Sequence, residues 1–172
     1  MLKEKKAKPK IEDIVRDYLS GEILSNAINF ISYLKENKMS PQWSAANSWK
    51  VSYKAHNVLF IRLGSESQYY GIDRGSWYVY AFIGEYEDVL PDEYKEIVWS
   101  NIKYCNKCSH CRGERMMIFG KEFHNVCDSF IAINPDEKVV ECIKNIIPMR
   151  KKAIDRGQTK KYLWIPKKKR PI

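Results

Sequence analysis

The sequence predicts an α+β fold: an antiparallel β-meander flanked by N-terminal and C-terminal helices, with a zinc-knuckle-like insertion before the last helix. Three observations predict it. Apolar residues recur at helical spacing over residues 11–36 and again after residue 137; the period falls to two from Trp49 to Ile83; and four cysteines gather between residues 105 and 127.

Residues 11–36 read as helix in two pieces. Ile11, Ile14, Val15, Tyr18 and Leu19 make a first apolar stripe, Gly21 offers a break, and Ile23, Leu24, Ala27, Ile28, Ile31 and Leu34 make a second. Asn37 is the expected stop, with Pro41 beyond it. Trp49, Val51 and Tyr53 then alternate with Lys50, Ser52 and Lys54, the pattern of a strand with one wet face. Ala55-His56-Asn57 is the expected turn into a second strand, Val58 to Leu63. Residues 64–75 read as a polar loop, and Trp77 to Ile83 as a third strand rich in aromatic and β-branched residues. Short connections favour an antiparallel meander. Pro91 opens a short helix reaching about Ile102. Met116 to Phe123 resembles a hairpin, and Ser129–Ile133 a further strand. Asn134-Pro135-Asp136-Glu137 is a helix start with Asn as cap, and Pro148 is expected to kink that helix or end it at the preceding residue.

The 172 residues suit one domain with its own core, and 44% hydrophobic with 30% charged residues is globular composition. No apolar run nears the roughly 20 residues of a membrane span, and no apolar stretch follows the first lysines as in a secretory signal. A cytoplasmic protein with reduced thiols and no membrane partner is therefore expected. Residues 1–10 carry five lysines against one glutamate, residues 150–172 ten basic residues against Asp155, and residues 11–149 have 15 basic and 19 acidic residues. The net +9 thus belongs to two tails, 1–10 and 157–172, and to the end of the last helix, around a mildly acidic domain at 11–156. Such tails either remain solvated or add sequence-independent affinity for phosphates.

Cys105, Cys108 and Cys111 are spaced Cys-x-x-Cys-x-x-Cys, and Cys127 follows after fifteen residues. A Cys-x-x-Cys turn presents two thiolates, and the hairpin between would bring Cys127 back to them. Four thiolates close a tetrahedral structural Zn2+ site with no open position. His110 or His124 as a replacement ligand, an iron–sulfur cluster, a Cys105–Cys108 redox pair and unrelated reduced thiols are the other readings of this spacing. Cys142 lies on the apolar side of the last helix and reads as a core residue.

In the expected meander, Trp77, Val79 and Ala81 face one side and Tyr78, Tyr80 and Phe82 the other. One face covers the helices; the second is either an amphipathic surface or a platform for a flat ligand, a peptide or a nucleobase. Trp43, Trp49, Tyr53 and Trp77 are the candidate pocket residues. The three histidines form no nucleophile arrangement, and no glycine-rich phosphate loop is present. Glu85, Glu87 and Asp88, and also Asp92, Glu93 and Glu96, read as solvated faces.

A helix followed by Trp49-Lys-Val-Ser-Tyr53, Val58-Leu-Phe-Ile-Arg-Leu63 and Ser76-Trp-Tyr-Val79 resembles small bacterial α+β proteins of the YdhG and YjbR type, over residues 22–100. The segment from Cys105 to Cys127, with Asn134-Pro135-Asp136 and a terminal helix, is similar to a cysteine tail on uncharacterised bacterial proteins. The resemblance implies the fold and carries no catalytic residue onto this chain. The expected function is a non-enzymatic domain that binds a small molecule or protein partner and is stabilised by structural zinc. The alternatives are a nucleic-acid-associated zinc protein using its basic tails, and a thiol redox enzyme.

Overall fold

A computed structural model describes residues 8–45, 47–64, 75–84, 89–104 and 114–158 of the chain. Among the described residues are four helices and seven strands in the order α1 (Ile11–Tyr18), α2 (Gly21–Glu36), β1 (Gln42–Ala45), β2 (Ser48–Tyr53), β3 (His56–Leu63), β4 (Trp77–Phe82), α3 (Asp92–Ser100), β5 (Ile102–Tyr104), β6 (Glu114–Ile118), β7 (Lys121–Ile133) and α4 (Glu137–Asp155). The fold is α+β with an antiparallel sheet. Its strand path is β1-β2-β3-β4-β7-β5, and β6 pairs with β7 off that path. No helix among the described residues is long and apolar enough to cross a membrane.

The helical segment divides as its pattern indicates. Leu19 and Ser20 are extended, and Gly21 starts α2 at φ +59°, a conformation that costs glycine little. Val15, Ala27, Phe30 and Leu34 are fully buried, so both stripes face the sheet. The strands supply the other half of the core. Cα pairing sets Trp49 against Ile61, Ile61 against Val79 and Val79 against Ala132; Val51, Leu59, Ala81 and Phe130 form the next row. Because side chains alternate, these rows share one face, and all eight are buried. The Phe30 ring of α2 lies 6.2 Å from the Trp77 ring of β4 across this layer. Truncating a side chain so placed costs about 3–5 kcal/mol.

Several local expectations are corrected. The β2–β3 turn is Lys54-Ala55, with φ of +45° and +65°, so His56 and Asn57 belong to β3. Two left-handed residues suit the twist of a hairpin, but this geometry usually advertises itself with Asn or Gly. The register slips just beyond: Val51 pairs with Leu59 and Ser52 with Asn57, leaving Val58 as the extra residue of a bulge. Strands β1 and β5 were not expected, and the strand expected at Ser129–Ile133 is the end of a continuous thirteen-residue β7. The cap of α4 is Asp136, whose carboxylate accepts the Val139 N–H at 2.8 Å, rather than Asn134. Asn134 instead locks the start of β4: its Oδ1 accepts from the Trp77 N–H at 2.9 Å and its Nδ2 donates to the Ser76 hydroxyl.

Helix α4 also does not end before Pro148; it continues to Asp155. Proline has no N–H for the carbonyl four residues earlier, which is Lys144. The Tyr33 hydroxyl of α2 donates to that carbonyl at 3.2 Å. A side chain from the neighbouring helix thus replaces the missing backbone donor, and the helix passes through the proline.

Candidate functional site

The sheet face opposite the helices carries Lys50, Ser52, Phe60, Arg62, Tyr78, Tyr80, Phe82, Ser129 and Ile131 by strand alternation. Phe60 and Tyr80 are Cα partners on β3 and β4, and Phe82 follows two residues along β4. Their rings form one cluster, with centroids 6.3 Å apart for Phe60–Tyr80, 6.0 Å for Phe60–Phe82 and 5.4 Å for Tyr80–Phe82. The interplanar angles of 70°, 56° and 74° are the edge-on and tilted arrangements aromatic rings prefer. All three residues are half-buried. On the same face Tyr78 and Ser129 are buried, at 1% and 0% exposure. The Ser129 hydroxyl donates to the Tyr80 oxygen at 2.8 Å, which fixes that ring.

Cations border the cluster. Exposed Arg62 donates to the Tyr78 hydroxyl at 3.0 Å, with its guanidinium 5.9 Å from that ring's centroid. The Lys103 ammonium lies 5.0 Å from the Tyr80 centroid, reaching across from β5. Arg150 of α4, itself only 6% exposed, sets its guanidinium 5.3 Å from the Phe82 centroid. It also donates to the Asn57 carbonyl at 3.3 Å, beside the β3 bulge. Its Nε has no hydrogen-bond partner among the described residues. The outward positions of β2, β3, β4 and residues 129–133 include no acidic residue, although the domain as a whole is acidic.

The four aromatics expected to form a pocket lie on the other face. Trp49 and Trp77 are 1% and 0% exposed and belong to the core. Trp43, paired with Trp49 from the edge strand β1, packs partly against it. Tyr53 sits at the end of the sheet, its hydroxyl 3.3 Å from Asp155 and its ring 4.8 Å from the Lys151 ammonium. Sequence reasoning placed Tyr78, Tyr80 and Phe82 on one face but did not add Phe60, Arg62, Lys103 or Arg150. Alternation alone could have supplied Phe60 and Arg62; Arg150 comes from a distant helix and leaves no local signal.

Cys105, Cys108, Cys111 and His110 lie outside the described residues, as do Glu85, Glu87 and Asp88. The other end of the expected metal cluster is described. Cys127 lies on β7 and is buried. Its neighbour Val126 is paired on one side with Tyr104 of β5 and on the other with Glu114 of β6. The hairpin expected there is formed: β6 and β7 join through Phe119-Gly120, at φ +46° and +85°. His124 is exposed, with Nε2 2.7 Å from the Glu122 carboxylate. Among the described residues no three His, Cys, Asp or Glu side chains gather in a group that could hold a metal.

Shifted titrations among the described residues have local causes. Burial pushes the Cys142 thiol up to about 12, and its Sγ lies 3.6 Å from the Tyr94 carbonyl. Burial, with Glu141 nearby, raises Tyr33 and keeps it a hydroxyl donor. The hydrogen bond from Lys54 lowers Asp155, and that from Lys95 lowers Asp92. Asp92, Glu93 and Glu96 are exposed on α3, with Glu93 3.3 Å from Lys138. A hollow of about 680 Å3 between Tyr33 and α4 contains one ion pair, Lys144 lying 2.6 Å from Glu141. Comparisons of the chain with protein-family models, curated proteins and solved structures returned no match.

Proposed function

We propose that the protein is a non-catalytic binding domain. Its outer sheet face receives a flat ligand or partner, and a structural zinc ion fastens the β5–β6–β7 end. The observation that carries the first part is the Phe60–Tyr80–Phe82 cluster. An antiparallel sheet whose second face meets only water tends to read polar at those positions. Here three half-buried rings touch one another, and the Ser129 hydroxyl, donating to the Tyr80 oxygen, holds one of them in place.

The zinc reading is supported by register. Cys105 follows Tyr104 directly, about 3.8 Å along the chain, and Cys111 precedes Glu114 by three residues, a reach of about 11 Å. Tyr104 and Glu114 both flank Val126, and Cys127 is the next residue. Two of the three remaining thiols are thus tethered close to the fourth, and four thiols suit a closed zinc site. The ion would contribute folding free energy through Cys105, Cys108, Cys111 and Cys127 and take no part in chemistry.

Elemental analysis of protein purified without an affinity metal, with thiol titration of the same sample, tests the zinc. One zinc per chain, four thiols unmasked by chelation and Cys142 reacting only on unfolding is the expected result. Metal-free protein with four titrating thiols would refute it. For the face, a neutral planar dye should bind with fluorescence change in the wild type and lose affinity in Phe60→Ala; equal binding by both would refute that part.

A further inference from the structure

We infer that the end of the molecule where α4 leaves the domain binds the surface of an anionic lipid bilayer, with Tyr162-Leu163-Trp164-Ile165 entering the headgroup layer. Three segments meet at that end. Asn37, just after α2, and Lys151, Lys152 and Asp155 of α4 line one small hollow. The Lys54 ammonium of the β2–β3 turn lies 2.7 Å from Asp155, and the Tyr53 ring lies 4.8 Å from the Lys151 ammonium. Taken whole, residues 33–38, 53–56 and 148–158 carry seven Lys or Arg residues against two acids, Glu36 and Asp155. Most of these cations have partners on the chain: Lys35 pairs with Glu12 and Lys54 with Asp155, and Lys152 and Arg156 are engaged as well. An anionic surface acts on the summed charge, and with Glu12 included the balance is seven bases to three acids, a net charge of +4.

The chain adds to this patch as it continues. Residues 159–172 hold six bases and no acid, set on both sides of four consecutive apolar residues. Lys160 and Lys161 precede that run, and Lys167 to Arg170 follow it. Binding to a bilayer surface draws on both buried apolar area and attraction to anionic lipid. A Lys or Arg held near an anionic leaflet strengthens binding about fivefold. Tyrosine and tryptophan favour the headgroup depth, where one end of the ring is apolar and the other wet, and leucine and isoleucine suit the acyl boundary below. No helix among the described residues is long and apolar enough to span a membrane, and attachment from one side needs none. Nucleic acid fits less well. It would use the cations and both rings, but Leu163 and Ile165 have no flat face to stack on a base.

Co-sedimentation of the 172-residue chain with phosphatidylcholine vesicles, with and without phosphatidylserine, tests the inference. The protein should pellet only with the anionic vesicles and be released as salt rises. Its tryptophan emission should shift to the blue on binding, and Trp164→Phe should remove that shift while keeping the binding. Leu163→Ser with Ile165→Ser, which alters neither charge nor rings, should weaken vesicle binding about tenfold. Lys152→Glu with Arg156→Glu, on the exposed end of α4, should weaken it by about as much or more. Equal pelleting with both vesicle types, or with neither, would overturn the inference. So would an unchanged emission spectrum, a blue shift that survives Trp164→Phe, or wild-type binding in either double variant. Binding to labelled oligothymidylate at salt concentrations that already release the vesicles would assign the basic end to nucleic acid and overturn it too. Should the α4 variant fail to fold, the Leu163 and Ile165 pair and the two vesicle types decide.

Discussion

Removing the Tyr33 hydroxyl isolates the device that carries α4 through its proline. Tyr33→Phe keeps the ring, and with it the stacked contact to Phe30 at 6.5 Å and the Lys144 ammonium 5.3 Å from its centroid. It deletes only the 3.2 Å hydrogen bond to the Lys144 carbonyl. That carbonyl has no helical donor, because residue 148 is proline. The site borders an open hollow, so water recovers part of the loss, and the expected cost is about 1 kcal/mol. For a chain of this length that is a fall in Tm of about 2–4 °C. The same substitution in a Pro148→Ala background should cost about 0.5 kcal/mol or less, because the alanine N–H now reaches Lys144. Urea unfolding followed by tryptophan fluorescence gives all four corners of the cycle. A coupling energy of about 0.5 kcal/mol or more is expected. Equal costs in the two backgrounds would show that the hydroxyl is not the substitute donor, and the account of α4 would be wrong.

Further expectations are checkable by the same unfolding assay. Asp136→Ala, which removes the cap on the Val139 N–H, should cost about 1 kcal/mol, whereas Asn134→Asp should leave the helix start intact and act on β4 instead. Gly64→Ala should destabilise more than Gly120→Ala. Both have left-handed φ, but a Cβ on Gly64 would lie 2.6 Å from the Tyr18 ring while Gly120 has open space. Cys142 has a folded pKa of about 12, above its unfolded value of about 8.5, so its contribution is intact below the unfolded value and is lost as pH rises toward the folded one. Stability should therefore decline above about pH 9, and Cys142→Ala should flatten that decline in pH-dependent denaturation curves.

Much of the architecture was legible because period carries face. The switch from the α2 stripe to the Trp49-Val51-Tyr53 alternation located the sheet, and the alternation of residues 77–82 separated its two sides correctly. Elements that a few residues encode were not legible. Ile102–Tyr104 is three residues long, too short for a period, and exists because β7 offers it an edge. The turn at Lys54-Ala55 is held by strand pairing rather than by turn residues, so composition pointed one position too far. Pro148 misled for a related reason: the donor that rescues it is 115 positions away in sequence, on α2. Tryptophans drew attention as binding residues, yet their size makes them core material when a helix layer stands above them, as Phe30 does above Trp77. The smaller Phe60, with Arg62 two residues on, was the better pointer to the outer face.

Strand β7 stands between β4 and β5, yet it is made about fifty residues after β4. During synthesis the β2–β3–β4 meander can pair as soon as Phe82 is out, but its β4 edge then waits for Ser129 to Ile133. At about 5–20 residues per second that wait is about 3–10 s. Throughout it, the backbone groups of Trp77 to Phe82 that turn away from β3 have no native strand to pair with. An exposed strand of such composition is prone to pair with another chain. The nascent chain is therefore most open to mispairing late, and a substitution that slows β7, such as proline at Ile131, would reduce the yield of folded protein well before it altered the finished molecule's surface.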